Sequence, residues 1–321
     1  MFDLIRVSLF GASNTGGVPF DPAKDISSLA GKIILVTGGA GGIGREAVLE
    51  FLRHKPTRLY ILDLPQPDDG EAMLAGIREA VPDAPVRFIP VNLASFESIA
   101  KGAAQFNEAE DRLDICLCNA GVMPVKPTTT PEGFETTFGI NYLGHALLVR
   151  LLEKKLLQAA ALPDADVRLV FVCSEGHVMV PKGGIAFDEL KTSCAKLQYF
   201  YRYGQSKLAI NLFMRELSSK HPQIRVVAVH PGRISTGIAT ELLKYSAIVR
   251  VTQPLTKYMT VPPALGARNS LWACTSPATK SGKYYEPVGV PDHESKLSRD
   301  PELCRKLREW TDEALKDYAS A

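Results

Sequence analysis

Tyr203 and Lys207 are four residues apart, a spacing that places two side chains on one face of a helix, one above the other. Hydride transfer to or from an alcohol needs a group that moves the hydroxyl proton. A phenol with a pKa near ~10 is a poor base at neutral pH, but a neighbouring ammonium favours the phenolate and lowers that pKa. Ser174 ends an apolar run 29 positions before Tyr203, and its hydroxyl could hold the substrate oxygen. Amphipathic helices often contain a Tyr–Lys pair by chance, so the pair indicates acid–base chemistry only in the right context.

A glycine-rich stretch supplies that context. Residues 36–44 read Val-Thr-Gly-Gly-Ala-Gly-Gly-Ile-Gly, between an apolar run at 33–36 and a helix-like run at 45–53. A strand that enters a glycine turn, which then opens into a helix, brings bare backbone N–H groups and the positive end of a helix dipole to one point. This arrangement favours a pyrophosphate and predicts a dinucleotide site. The alternative is a flexible loop that happens to be rich in glycine.

Asp63 ends the second apolar run, 19 residues beyond Gly44. A carboxylate at about this distance accepts hydrogen bonds from the adenosine ribose hydroxyls and repels a 2′-phosphate. No Lys or Arg precedes Gly42 in the turn, and Leu64 follows Asp63. The sequence therefore predicts NAD rather than NADP as the cofactor, although a solvated aspartate at a strand end would look the same.

Short apolar runs alternate with helical patterns along most of the chain. Strands are predicted near 33–37, 58–62, 86–91, 113–118, 167–173 and 224–230, and helices near 43–54, 70–80, 95–109, 131–160 and 200–220. Thr130 and Pro131 provide an N-cap and a first helical residue for the fourth helix. Uninterrupted apolar strands separated by helices indicate an α/β fold with a doubly wound parallel sheet, covered on both faces. Residues 1–30 are predicted to be an irregular lead-in, and 31–321 a single domain.

Composition excludes several classes of function. With 321 residues, 45% of them apolar, and a formal net charge of +2, the chain can bury a large core and lacks the charge typical of nucleic-acid binding. No run reaches the ~18–20 apolar residues of a transmembrane helix. Residues 1–10 make a poor signal peptide, although their apolar side chains could give a weak membrane contact. The six cysteines match no zinc spacing, so we expect reduced thiols, no metal and a cytoplasmic protein.

The glycine turn, Ser174, and the pair Tyr203 and Lys207 occur in an order that resembles the short-chain dehydrogenase/reductase family over residues 32–236. The segments at 130–145, at 174–177 and near the C-terminus are similar to the retinol-dehydrogenase-like branch, and to its filamentous-fungal members. The resemblance implies a Rossmann fold with a small helical substrate lobe.

The resemblance also implies a set of site residues. The catalytic residues would be Asn141, Ser174, Tyr203 and Lys207, with Asn141 holding a water of the proton relay. The cofactor contacts would be Thr37, Gly38, Gly42, Ile43, Gly44, Asp63, Leu64, Asn92, Leu93, Asn119, Ala120, Gly121, Tyr203, Lys207, Pro231, Gly232, Ile234 and Thr236. Two positions depart from the family pattern, since Asn92 stands where an aspartate is usual and Cys118 where an asparagine is usual.

The substrate side is predicted from two stretches, 175–200 and 236–262, with a C-terminal helix at 300–317 docked on the body. Their apolar side chains favour a bulky, largely apolar secondary alcohol or ketone. Two alternatives stay open: a non-redox reaction that uses bound NAD (elimination, epimerisation or decarboxylation), or a cofactor-sensing regulator without turnover. Many members of the family dimerise through the helices that correspond to 131–160 and 200–220, so a homodimer is expected.

Overall fold

The structure is a computed structural model that describes residues 16–234 and 261–318. Within these ranges, seven parallel strands form one sheet in the order β3-β2-β1-β4-β5-β6-β7. The strands are β1 Ile33–Thr37, β2 Arg58–Asp63, β3 Val86–Pro90, β4 Ile115–Cys118, β5 Arg168–Val172, β6 Arg225–Val229 and β7 Tyr284–Tyr285. The main helices are α1 Gly42–Arg53, α2 Glu71–Ala80, α3 Phe96–Ala109, α4 Gly144–Ala160, α5 Tyr199–Lys220, α6 Pro263–Thr275 and α7 Pro301–Leu315.

Strand β1 shows why helices cover both faces of the sheet. Leu35 packs into a core formed with α3, α4, α5 and α7, whereas Ile34 and Val36 pack against α1, α2 and α6. Successive side chains of a strand point to opposite faces, and all five residues of β1 are buried, so both faces need a cover. The predicted doubly wound α/β fold is confirmed, and the strand order reverses between β1 and β4, where such folds bind ligands.

The long fourth helix does not begin directly after Thr130, and that prediction is wrong. The Thr130 backbone N–H donates to the carbonyl of Phe134 at 2.8 Å, and these residues close a turn. Glu135 is the N-cap instead, because its carboxylate accepts the N–H groups of Thr137 at 2.9 Å and Phe138 at 2.7 Å. The helix therefore begins where the Glu135 carboxylate satisfies its first free N–H groups.

Helix α7 packs on α5 and on the aromatic start of the α4 segment. Asp300 caps α7 by accepting the N–H of Leu303 at 3.1 Å. The Trp310 ring lies 5.7 Å from the ring of Phe134 and 5.6 Å from that of Phe138, centroid to centroid. Aromatic pairs of this edge-on kind add to the burial of their surface and dock the helix on the body.

Much of the predicted substrate side lies outside the described residues, namely 235–260, as does the start of the lead-in, 1–15. Within 175–200, Ile185, Phe187 and Leu190 belong to the core that α7 covers. Val178, Met179 and Val180 are only partly buried. In the described part of the chain, no helix is both long and apolar enough to cross a bilayer.

Candidate active site

The glycine turn carries the chain from the end of β1 into α1. Gly38 and Gly42 have left-handed φ values of +68° and +54°. A Cβ on Gly44 would lie 2.0 Å from the carbonyl oxygen of Gly38, so only glycine lets the turn close on the helix. Ile43 packs against the core beneath, and the N-cap Gly41 offers no side-chain acceptor. The first N–H groups of α1 therefore stay available to an anionic ligand.

Thr37 and Asn119 join the ends of β1 and β4 below this turn. The Thr37 hydroxyl oxygen accepts the N–H groups of Asn119 at 2.9 Å and Ala120 at 3.0 Å. In return, Asn119 Nδ2 donates to the carbonyls of Thr37 at 2.9 Å and Gly38 at 3.1 Å. These four predicted cofactor residues are thus hydrogen-bonded to one another and form the floor of the site.

Asp63 lies beside the glycine turn, as predicted from its spacing. Its Oδ2 accepts the N–H of Ala40 at 2.9 Å, and its Oδ1 accepts the N–H of Leu64 at 2.8 Å. Each carboxylate oxygen can accept a second hydrogen bond, so both can still bind a ribose hydroxyl. The Leu64 side chain is 53% exposed at the same edge and offers apolar surface to a base.

The end of β3 reaches the same edge of the sheet, because Asp63 pairs with Pro90 in the ladder. Asn92 Oδ1 accepts the N–H of Ala94 at 2.9 Å, which closes a short turn. Leu93 is buried, and its carbonyl oxygen would lie 2.5 Å from a Cβ on Gly144. Asn92 therefore retains its Nδ2 donor for a ligand, whereas Leu93 mainly packs against α4.

Asn141 lies in a π-helical segment, Gly139–Leu143, that interrupts the long helix. Such segments occur often at functional sites. The buried Asn141 amide accepts the N–H of Val122 at 2.8 Å and donates to the Val122 carbonyl and to Ser206 Oγ, both at 3.0 Å. The side chain therefore fastens the loop after β4 to α5, and its predicted water contact stays a prediction.

Gly121 marks the centre of the site. A Cβ on Gly121 would lie 3.5 Å from Lys207 Nζ and 3.4 Å from Asn141 Oδ1. Lys207 is buried, and its Nζ donates to the carbonyl of Val172 at 2.9 Å. An ammonium carries three donors, so two remain for groups that enter the space beside Gly121.

Ser174 and Tyr203 meet over Gly176. Ser174 is the N-cap of a short 3₁₀ turn, and its Oγ accepts the Gly176 N–H at 3.0 Å. Tyr203 forms a hydrogen bond with Ser174, and Lys207 Nζ lies 5.6 Å from the centroid of the Tyr203 ring. Because the Ser174 oxygen already accepts an N–H, its own proton is directed to the phenol or to a substrate oxygen.

In the protein alone, burial is the largest cause of the pKa shifts of Tyr203 and Lys207. It raises the pKa of Tyr203 to about 12, against a hydrogen bond from Ser174 that lowers it. It also lowers the pKa of Lys207 to about 8. The sequence predicted a lowered pKa for Tyr203, and the protein alone shows the opposite direction because desolvation exceeds the lowering by the Ser174 hydrogen bond.

The turn after β6 carries the remaining residues that were predicted to contact the cofactor. Pro231 and Gly232 follow β6 after His230, and Gly232 has a left-handed φ of +87°. Ile234 packs so closely on α6 that a Cβ on Gly266 would lie 2.0 Å from its Cδ1. Thr236 lies outside the described residues.

Sequence reasoning missed a buried ion pair beside Tyr203. Arg202 donates to the carbonyls of Pro124 at 3.1 Å and Val125 at 2.7 Å, and its Nε lies 3.4 Å from Glu135 Oε1. Burial raises the pKa of the Glu135 carboxyl, and the nearby guanidinium lowers it. Arg202 thus ties the start of α5 to the loop after β4 through the two carbonyls, and to the start of the fourth helix through Glu135. An arginine on a helix usually faces water, so no sequence signal distinguished this one.

Sequence reasoning also left His145 without a role. Its Nδ1 lies 3.0 Å from the carbonyl oxygen of Asn141, and its Nε2 lies 2.9 Å from the Thr37 hydroxyl. Burial lowers the pKa of His145 to about 4, so the ring is neutral. A carbonyl only accepts, so the proton is on Nδ1 and the hydroxyl donates to Nε2. His145 therefore connects the end of β1 to the π-helical segment.

Glu175, His230 and Glu286 form a polar cluster behind Ser174, with candidate ligand atoms within 4.8 Å of one another. Arg233 Nε already donates to Glu175 Oε1 at 2.8 Å. The Glu175 N–H donates to His230 Nδ1 at 3.3 Å, so the neutral ring carries its proton on Nε2 and has no free lone pair there for a metal. These contacts describe an ion-pair cluster that anchors the turn after β6. Burial raises the pKa of Glu175 to about 7.

Known proteins resemble this chain in sequence and in fold. A family model described as short chain dehydrogenase matches residues 32–188. The chain is 35% identical over 306 residues to the short-chain dehydrogenase/reductase drtF of Aspergillus calidoustus, and the alignment covers 91% of this chain and 96% of that protein. It is 34% identical over 308 residues to human retinol dehydrogenase 13, and the alignment covers 94% of this chain and 87% of that protein.

Solved structures support the fold. A protein from Mycobacterium paratuberculosis aligns with a TM-score of 0.72 at 24% identity, over 92% of this chain and 97% of that one. A short-chain dehydrogenase from Escherichia coli CFT073, crystallised with NADPH, aligns with a TM-score of 0.61 at 22% identity, over 81% of this chain and 97% of that one.

Proposed function

The chain belongs to the short-chain dehydrogenase family, and we propose that it transfers a hydride between NAD and a bulky, largely apolar secondary alcohol or ketone. Membership makes it an oxidoreductase that uses a nicotinamide cofactor. The observation that supports the specific reaction is the meeting of Ser174, Tyr203 and Lys207 around Gly121 and Gly176.

The residues present fit a dinucleotide. The bare N–H groups at the start of α1 suit a pyrophosphate, the carboxylate of Asp63 suits a ribose, and the space beside Gly121 lies within reach of the Lys207 ammonium. When bound, the nicotinamide supplies or accepts the hydride. Asn119 and Ala120, held by Thr37, form part of the floor of this site.

Tyr203 moves the proton in this proposal. Its hydroxyl gives a proton to the carbonyl oxygen during reduction and takes it back during oxidation. The Ser174 hydroxyl donates to the same substrate oxygen and holds it near Tyr203. The Lys207 ammonium stabilises the phenolate, and its remaining donors can bind ribose hydroxyls. Asn141 keeps the loop after β4 and α5 in register around these groups.

We propose NAD rather than NADP because of Asp63. The carboxylate is fixed beside the turn by two backbone N–H groups, so a 2′-phosphate would have to approach a negative charge that cannot swing away. The related structure from Escherichia coli CFT073 holds NADPH, so cofactor choice varies among proteins of this fold.

The substrate class is supported by the partly buried Val178, Met179 and Val180, which lie four to six residues after Ser174. The name of the human relative, retinol dehydrogenase, points to another apolar alcohol. A cytoplasmic location and a homodimer stay predictions from the sequence.

A test of this proposal is NADH formation with a panel of apolar secondary alcohols, followed at 340 nm, with Ser174→Ala as the inactive control. We expect stoichiometric NADH and ketone from the wild type. Conversion of a substrate without net NADH would favour elimination, epimerisation or decarboxylation. Tight NAD binding without turnover of any ligand that binds the site would favour a sensing role.

A further inference from the structure

His177 follows Ser174 by three residues, in the 3₁₀ turn that Ser174 caps, and it is almost wholly buried. Its Nδ1 lies 2.7 Å from the carbonyl oxygen of Ser174, and its Nε2 lies 3.0 Å from the backbone nitrogen of Ser295. The Tyr284 ring packs edge-on against it, with the two centroids 5.1 Å apart. The imidazole is therefore held on three sides.

The two partners fix the tautomer of His177. A carbonyl oxygen only accepts, so Nδ1 must carry the proton, and an N–H only donates, so Nε2 must be bare. Burial lowers the pKa of His177, which keeps the ring neutral. Any other protonation state would set a donor against the N–H of Ser295 or remove the donor from Ser174.

The partner at Nε2 belongs to a firmly anchored segment, 292–299. The Glu294 carboxylate is fully buried and pairs with Arg215 of α5, and it accepts from Arg299 Nε at 2.9 Å. Ser298 Oγ accepts from Asn211 Nδ2, also of α5, at 3.2 Å. Because α5 carries Tyr203 and Lys207, this segment connects the helix of the acid–base pair to His177.

We propose that His177 is a positioning residue for Ser174, and that segment 292–299 sets its orientation. This inference rests on the proposed function, because it assumes that the Ser174 hydroxyl contacts the substrate oxygen. The Ser174 carbonyl accepts hydrogen bonds from both the N–H and the ring of His177. His177, which is itself held by Ser295, thus fixes the backbone that orients the Ser174 hydroxyl. A misplacement of about 1 Å can cost up to about a hundredfold in rate.

A pair of substitutions separates the two ring contacts. In His177→Asn the side-chain amide NH₂ replaces the Nδ1 donor toward Ser174. In His177→Gln the amide oxygen replaces the Nε2 acceptor toward Ser295. We expect His177→Gln to lower kcat by about tenfold to a hundredfold, with the NAD dissociation constant and melting temperature near those of the wild type. His177→Asn should recover most of that kcat and should melt lower. Equal kcat values for the two variants would overturn the inference.

A second pair tests the link to segment 292–299. Ser295 has φ −64°, which proline adopts, so Ser295→Pro removes the N–H and places its ring Cδ against His177 Nε2, which breaks the contact. Ser295→Ala keeps the N–H and removes only the hydroxyl. We expect kcat to fall further in Ser295→Pro than in Ser295→Ala, while Lys296→Ala, on the exposed side, should match the wild type. Equal kcat for the two Ser295 variants would show that the segment does not orient His177.

Failure of the proposed function has a different signature. A wild-type protein that forms no NADH with any alcohol, or a Ser174→Ala variant with full turnover, would reject the reaction assigned to the site. The His177 contacts can then be judged by ¹⁵N NMR of histidine-labelled protein. A protonated Nδ1 and a bare, hydrogen-bonded Nε2 that changes in Ser295→Pro would support the link, and an Nε2–H tautomer would overturn it.

Discussion

A single phenol and the charges around it decide the chemistry at the residue scale. In the chain alone, burial holds the pKa of Tyr203 at about 12 and that of Lys207 at about 8. The phenol is therefore a reluctant acid, and the ammonium gives up its proton unusually easily. A cationic ring bound beside them would favour the phenolate and keep Tyr203 able to exchange a proton.

The first prediction concerns Tyr203→Phe. The substitution keeps the ring and removes only the hydroxyl, so stability and NAD binding should change little while turnover falls by about 10² to 10⁴. Tyr199→Phe is the matched control, being a phenol one helical turn earlier with no lysine four residues on. Steady-state kinetics and calorimetry with NAD measure both effects. Near-normal turnover in Tyr203→Phe, or its loss in Tyr199→Phe, would disprove the assignment.

The second prediction concerns cofactor choice at Asp63. NAD should bind the wild type more tightly than NADP, and Asp63→Asn should narrow the difference by about tenfold to a hundredfold, since it removes the charge and keeps an acceptor for the Ala40 N–H. Asp63→Ala should narrow the difference as well but also weaken NAD, because the turn loses its side-chain acceptor. Calorimetry that shows tighter NADP binding by the wild type would reject the role of this carboxylate.

At the scale of elements, the closest contact in the site lies between α5 and the loop after Ser174. A Cβ on Gly204 would lie 1.7 Å from the carbonyl oxygen of Met179, so the helix and the loop touch backbone to backbone. This contact brings Tyr203 over the 3₁₀ turn of Ser174.

The third prediction follows from that contact. Gly204→Ala should force α5 and the loop apart, lowering both the melting temperature and kcat, although alanine is the better helix former by about 1 kcal/mol. Gly76→Ala is the control, because Gly76 lies inside α2 and an added Cβ there meets nothing within 4 Å. Thermal melts should show Gly76→Ala equal to or above the wild type. If Gly204→Ala is equally stabilising, the contact is not as tight as described.

The elements that were predictable from sequence are those whose signal is local. The six strands of the sheet core and the glycine turn follow from apolar runs and residue spacing. The start of the fourth helix was missed because Glu135 gains its strength as a cap only once it is buried with Arg202, 67 positions away. The two-residue strand β7 and the role of His145 depend equally on distant partners, and no pattern in a single sequence encodes such pairs.

On the scale of the whole molecule, the C-terminal helix bears on assembly. From Arg202 to Met214 every residue of α5 is buried within the chain itself, partly under α7, except Tyr203, which is partly buried. A homodimer that used α4 and α5 as its interface would have to displace α7 and its aromatic contacts. The structure thus argues against this interface, while the sequence-based expectation of a dimer stays a prediction.

The fourth prediction is therefore that the full-length chain dimerises through a face other than the one that α7 covers, so light scattering should give about twice the chain's own mass of 35.0 kDa. A deletion that removes α7 should bare the apolar faces of α4 and α5 and shift the protein to larger particles. The control is Leu162→Ser, which alters an apolar side chain that is 45% exposed outside the docked surface. A particle near 35.0 kDa would reject the dimer.

The fifth prediction joins the site to the stability of the whole fold through His145. Burial lowers its pKa from 6.5 to about 4, so below pH 6.5 the unfolded chain takes up a proton that the folded chain refuses. Its contribution to stability is therefore complete above pH 6.5 and falls on acidification until pH 4, by roughly 3 kcal/mol in all. Glu175, whose pKa is raised to about 7, acts in the opposite direction, since its burial cost disappears as it is protonated.

The measurable quantity is therefore the difference in unfolding free energy between the wild type and His145→Gln, a variant with no proton to gain. That difference should favour the wild type at pH 7 and shrink steadily toward pH 4, while His293→Gln, at an exposed position, should follow the wild type throughout. A difference that stays constant with pH would mean that His145 is not held neutral between Thr37 and Asn141.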